Sequence, residues 1–255
     1  MRTIGDVEIL TTAQPIEIGD GPTSVLFCHG FTGSPWSLKP WAEQVAAAGY
    51  RVSVPRLPGH GTTWQDMNVT GWRDWYSCVE REYLRLRRES DRVFVAGLSM
   101  GGALALRLAE KFPDDVAGLM LVNPAVQLKD PRLVALPVMR KVIKGLPGVG
   151  GDIKKLGADE FSYDHTPLDA LASSLRLFAD VRACLDLVVA PLILWRSSID
   201  HVVPMVSKEV VLRNVSSHDI TDSVLTNSYH VATLDNDAPR IVAESLEFLN
   251  RLCGP

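Results

Sequence analysis

Short apolar runs rich in β-branched residues alternate along this chain with longer helical patterns, and that alternation limits the fold more than any other feature. Val25–His29, Arg51–Pro55, Val93–Leu98, Gly118–Asn123, Leu192–Trp195 and Ser223–Thr226 read as strands. Several are apolar almost throughout, as expected of strands covered on both faces. Between them the pattern predicts helices over Ser37–Ala48, Thr70–Glu89, Met100–Phe112, Ser207–Asn214 and Ala238–Leu252. Gly49 closes the first of these and Pro113 follows the third, both stop signals. Strand–helix–strand alternation implies an α/β fold, a mostly parallel central sheet with helices on both faces. A chain of 255 residues can form one large domain of this kind, so a single domain over 1–255 is expected. A hairpin pairing Val7–Leu10 with Ile16–Ile18 is expected ahead of it.

One region breaks the alternation. From Pro124 to Pro191 the pattern offers no strand. Leu133–Leu146 is apolar with Arg140, Lys141 and Lys144 interspersed, and Pro167–Leu187 reads as one longer helix. Residues 126–166 are therefore expected to form a small helical cap inserted in the main layer. Connections this long between sheet strands are uncommon unless functional, and lids are a frequent case. The competing reading is a helical excursion that only shields one sheet edge.

Within this frame Gly97-Leu98-Ser99-Met100-Gly101 is a G-x-S-x-G placed after an apolar strand and before a helix. Such a strand-to-helix elbow holds its serine in a strained backbone conformation with Oγ exposed. Small residues are needed two positions to either side, because side chains there would collide across the turn. Gly97 and Gly101 meet that need, and Gly102 lets the helix approach the strand. A serine hydroxyl is a weak nucleophile and needs a base. In elbow hydrolases the order is Ser, acid, His, which leaves His165, His201, His218 and His230. His230 lies just past the last strand, at the carboxyl edge where open α/β sheets place their sites, and is the candidate base. Asp200 follows the penultimate strand at the same edge and is the candidate acid. Asp222 precedes the last strand and is expected at the opposite edge, while Asp235 and Asp237 are expected to cap the final helix.

Acyl transfer also needs donors for the developing oxyanion. The Met100 N–H, at the positive end of its helix, is one candidate. The other is the Phe31 N–H in His29-Gly30-Phe31-Thr32-Gly33, where glycines let the backbone turn inward. The Phe31 side chain would then border the acyl pocket.

Composition narrows the partners. The net charge is −4, and the one dense basic run, Arg81–Arg88, carries Glu82 and is followed by Glu89, so it reads as a solvated helix face and no nucleic acid is expected. The four cysteines form no C-x-x-C, and no metal or organic cofactor is implied. The N-terminal residues have no long apolar run and no stretch is long enough to span a bilayer, so a cytoplasmic location is expected.

At these residues the chain resembles the small bacterial carboxylesterases and monoacylglycerol lipases of the α/β-hydrolase superfamily. The similarity runs nearly end to end: His29-Gly30-Phe31-Thr32-Gly33, Gly59-His60-Gly61, Gly97 to Gly102, Ala179-Asp180-Val181-Arg182 to Ala190-Pro191, and Tyr229-His230-Val231 with Leu234-Asp235. The resemblance implies a Ser99–Asp200–His230 triad with Phe31 and Met100 as oxyanion donors. It implies a helical cap lining an acyl tunnel and an alcohol pocket, with Glu160 as the polar residue that holds the alcohol. The segment Arg196-Ser197-Ser198-Ile199 before Asp200 departs from the family pattern. A small-molecule ester or lipid is the expected substrate, medium-chain monoesters such as monoacylglycerols before bulky triacylglycerols. The apolar cap is expected to touch lipid surfaces transiently. Thioester or carbon–carbon bond hydrolysis would use the same triad, and a ligand-binding protein on the same scaffold would leave it unused. Haloalkane dehalogenation is disfavoured because Ser99 stands where that chemistry uses aspartate.

Overall fold

The computed structural model describes residues 8–148 and 150–253. Its strands are β1 (Ile16–Ile18), β2 (Thr23–Cys28), β3 (Arg51–Val54), β4 (Arg92–Leu98), β5 (Val116–Val122), β6 (Gly145–Pro147), β7 (His165–Pro167), β8 (Leu192–Ser197) and β9 (Ile220–Leu225). Its α-helices are α1 (Lys39–Ala47), α2 (Trp64–Asn68), α3 (Trp72–Glu89), α4 (Met100–Lys111), α5 (Leu136–Val142), α6 (Leu168–Arg182), α7 (Met205–Asn214) and α8 (Ala238–Cys253). Seven strands form one sheet in the order β1-β3-β2-β4-β5-β8-β9. All neighbours are parallel except β1, which runs antiparallel to β3 at one edge.

Alternation along each strand divides the core into two layers. Leu26 and Cys28 of β2, with Val93 and Val95 of β4, face one side and pack against α3, α4 and α6. Val25, Phe27, Phe94 and Ala96 face the other side and pack against α1 and α8. On that side Trp41 lies edge-on to both Phe27 and Trp195, and its indole N–H donates to Ser245 Oγ at 3.0 Å.

The chain leaves β2 toward one edge and returns to β4 on the other side of β2. The carboxyl ends of these two strands therefore open a crevice where the connections diverge, the usual place for a site in such sheets.

The N-terminal hairpin does not form. Val7 lies outside the described residues, Glu8–Leu10 is not strand, and Ile16–Ile18 pairs instead with β3. Without β1 the hydrogen-bonding row of β3 on the side away from β2 would stand open, and β1 covers it. The stretch between β5 and β8 holds α5 and α6, as the apolar patterns indicate, but also two short strands. β6 pairs antiparallel with β7, Leu146 opposite Thr166, and joins the two ends of the loop between them.

Candidate active site

The elbow at the end of β4 has the geometry that the spacing requires. Ser99 has φ 56° and ψ −119°, a region that L-residues rarely enter. A Cβ at Gly97 would collide with the Gly101 carbonyl, and one at Gly101 with the Cys28 carbonyl of β2. A Cβ at Gly102 would stand 2.8 Å from Pro124 Cβ. The turn is pinned on the β5 side, where Ser99 N–H donates to Val122 O at 3.0 Å and Ala125 N–H donates to Ser99 O at 3.0 Å. Met100 opens α4, so its N–H belongs to the first turn, which has no acceptor within the helix.

The loop after β2 lies against this elbow. A Cβ on Gly30 would be 3.5 Å from Ser99 Cβ. Buried His29 fixes the loop: its Nδ1 lies 3.1 Å from Gly30 O and its Nε2 accepts from Leu57 N–H at 3.2 Å. Burial pushes the His29 imidazole down to about 4, so it stays neutral and keeps Nε2 as an acceptor. His60 packs edge-on to His29 and is held well below its ordinary value by burial and by His29 itself. Both histidines are fully buried behind the loop and brace it. Thr32 has a positive φ of 61°, and its hydroxyl donates to Phe31 O at 2.6 Å. Phe31 lies in the cavity wall and packs edge-on to Trp75.

Asp200 and His230 meet at the other wall. Asp200 follows β8 with its side chain fully buried. Its Oδ1 accepts from Val202 N–H at 2.9 Å and Val203 N–H at 2.8 Å, and its Oδ2 lies 2.9 Å from His230 Nδ1. Burial alone would raise the Asp200 carboxyl. The hydrogen bond and charge of His230, the Arg196 charge and the Val203 N–H outweigh it and hold the group at about 2. No hydrogen bond joins Ser99 Oγ to His230 in this structure, but both line the same cavity. Contacts of this kind often tighten only when a substrate is bound.

That cavity measures about 750 Å³. Leu133, Leu136, Met139, Leu146, Leu171 and Phe178, from the inserted stretch and α6, give it an apolar wall. Gly150, Gly151, Asp152, Glu160 and His201 give it a polar one. Glu160 is buried, and its Oε1 accepts from Gly151 N–H at 3.2 Å. Burial raises its carboxyl above the ordinary range.

The structure brings together all six residues singled out from sequence: Phe31, Ser99, Met100, Glu160, Asp200 and His230 all line this cavity. The other candidate acids lie elsewhere. Asp222 sits within β9 and pairs with Lys208 at 2.6 Å. The carboxylates of Asp235 and Asp237 do not cap α8. Asp235 accepts from the N–H groups of Lys154, Lys155, Tyr229 and Asn236, and Asp237 from that of Asn227.

Sequence reasoning missed three residues that hold the site. Asp152 Oδ2 accepts from both His201 N–H and His230 N–H, and Asp152 O accepts from Val231 N–H. With Asp235 it ties the inserted loop to the His230 loop. Asn123, at φ 45°, donates to His230 O at 2.7 Å and accepts from Ser197 N–H at 2.9 Å. Arg196 is buried and bonds Asp200 Oδ2. Only Arg196 leaves a signal in the sequence, as a charge inside an otherwise apolar strand.

A family described as serine aminopeptidase, S33, matches residues 22–237. The chain belongs to this family of serine hydrolases. It is 41% identical over 96% of its length to a thermostable monoacylglycerol lipase from Bacillus sp. (strain H-257), covering 98% of that protein. It is 25% identical over 95% of its length to a carboxylesterase from Bacillus subtilis, covering 98% of it. Among solved structures, a metagenome-derived lipolytic enzyme described with LipS and LipT superposes with a TM-score of 0.92 at 39% identity, covering 94% of this chain and 98% of that one. A monoglyceride lipase from Saccharomyces cerevisiae superposes at 0.79 with 16% identity, covering 93% of this chain and 90% of that one, which is a likeness of fold. The serine hydrolase described here thus has the α/β-hydrolase fold, as its alternation of strands and helices leads one to expect.

Proposed function

We propose that this protein hydrolyses monoacylglycerols and related medium-chain monoesters through a Ser99–His230–Asp200 triad. The observation that carries the reading is the shared cavity: an elbow serine and an Asp-linked histidine open on one largely apolar space of about 750 Å³, within the usual size of a small-ligand site. His230 takes the Ser99 proton as Ser99 attacks the ester carbonyl. The N–H groups of Phe31 and Met100 receive the oxyanion. His230 then protonates the leaving alcohol, and water releases the acid by the reverse roles.

The two walls suit the two ends of such an ester. The leucines, Met139 and Phe178 face an acyl chain, and Glu160 faces the alcohol. The 41% identical relative is a monoacylglycerol lipase, which favours the same substrate class.

The protein is read as one domain over 1–255, with residues 126–166 as its cap. Val134, Val138 and Val142 are exposed at 87%, 70% and 82% and stand four residues apart, so they form an apolar stripe beside Lys141. This stripe fits transient contact with a lipid surface. The unpaired state of all four cysteines fits a reducing, cytoplasmic compartment.

A hydrolysis panel of monoacylglycerols, simple esters, thioesters, triacylglycerols and aminoacyl anilides tests the reading. Monoacylglycerols and simple esters should be cleaved, triacylglycerols and anilides hardly at all. A clear preference for anilides or thioesters would refute it.

A further inference from the structure

The Asp200 carboxylate serves two nitrogen partners. Its Oδ2 receives His230 Nδ1 at 2.9 Å and also bonds Arg196 Nη1. Arg196 is 3% exposed. It reaches Asp200 from β8, four residues earlier, so strand geometry carries it under the acid loop. Two more of its contacts go to main chain and amide, Nη2 donating to Val203 O at 2.6 Å and Nη1 to Asn123 Oδ1 at 3.2 Å, while its Nε has no partner among the described residues. The same Asn123 donates to His230 O. A buried guanidinium is costly and does not persist without such partners. The arrangement aims it at the one oxygen that orients the base.

Two positive groups on one oxygen compete. A protonated His230 gains from Asp200, but it must share that oxygen with a charge that never leaves. We propose that Arg196 is a positioning residue that keeps His230 neutral, and so able to act as a base, further into acid than an Asp–His pair alone would. The role rests on the triad reading above. The other groups facing His230 are Asp152, whose Oδ2 accepts its N–H, Glu160 across the cavity, and His201, paired with Asp152 at 2.7 Å. These carboxylates favour the imidazolium, and Arg196 is the fixed cation that opposes them.

The test is the pH profile of kcat/KM on a soluble monoester for the unmodified protein, Arg196→Gln and Arg196→Lys. Arg196→Gln keeps donors but removes the charge, and its acid limb should move up by on the order of one pH unit. Arg196→Lys should stay within a few tenths of a unit of the original. Should Arg196→Gln fold poorly in a thermal melt, Arg196→Met, which keeps the aliphatic stem without the charge, is read the same way. Lower activity at every pH with an unmoved limb means that the residue is only structural and overturns the proposal. So does a Lys variant that shifts as far as the Gln variant. Asp200→Asn separates the two ideas. If it keeps full turnover, the triad reading falls and the Arg196 role with it. If it loses turnover while the Arg196→Gln limb stays put, only the Arg196 role falls.

Discussion

Replacing Ser99 by glycine rather than alanine should stabilise the protein. At φ 56° and ψ −119° the Ser99 backbone occupies a region that only glycine enters freely. Holding a Cβ there costs on the order of 1–3 kcal/mol. The Ser99 side chain makes no helix-capping hydrogen bond that would offset this cost. Ser99→Ala removes the nucleophile but keeps the strain. Ser99→Gly removes both, less about 0.5–1 kcal/mol for the extra freedom of the unfolded chain. The difference between the variants is then about 1 kcal/mol in favour of glycine, or roughly 2 °C in Tm for a domain of this size. Calorimetry with denaturant titration of both variants measures it directly. A glycine variant no more stable than the alanine variant would mean that the elbow stores no strain and that the backbone argument for the nucleophile is wrong.

Three further outcomes follow from the same geometry. Leu171→Trp fills part of the apolar wall and should move preference to shorter acyl chains, about fourfold for each methylene no longer accommodated, read from kcat/KM across chain lengths. Glu110 is buried with Oε1 unpartnered, and burial raises its carboxyl to about 8. Its folded value exceeds the unfolded one, so stability is lost as pH rises from about 4.3 to 8. Glu110→Gln should remove that slope, which amounts to about 5 kcal/mol across the window, seen in denaturant midpoints at both of its ends. Val138→Asp should weaken sedimentation with vesicles containing anionic lipid while turnover of a soluble ester stays within twofold, because Val138 is exposed and lies outside the cavity wall.

Much of the fold is legible because strong local patterns agree with the global one. The run Val93–Leu98 and the glycines around Ser99 specify a strand, an elbow and a helix with little help from elsewhere. His230 and Asp200 could be placed because each follows a strand at the carboxyl edge. The strands β6 and β7 are three residues each, contain proline or glycine, and exist only because they meet across the stretch between β5 and β8, so periodicity cannot reveal them. Ile16–Ile18 reads as a strand, but its partner is set by the open edge of β3 rather than by a nearby turn. Asp152 and Asp235 act on main-chain N–H groups of distant loops, which no side-chain pattern encodes. Asp237 reads as a cap from sequence, but a carboxylate before a helix satisfies whichever N–H the fold presents, here that of Asn227. Arg196 lies in a segment that departs from the family pattern, and only the folded position of Asp200 gives it a partner.

The central claim is that Ser99 is the nucleophile and depends on His230. Intact-mass analysis after brief exposure to a fluorophosphonate tests it most directly. The account predicts one adduct, mapped to Ser99, absent in Ser99→Ala and formed far more slowly in His230→Ala. An adduct on another residue, or none on a folded protein, would contradict it.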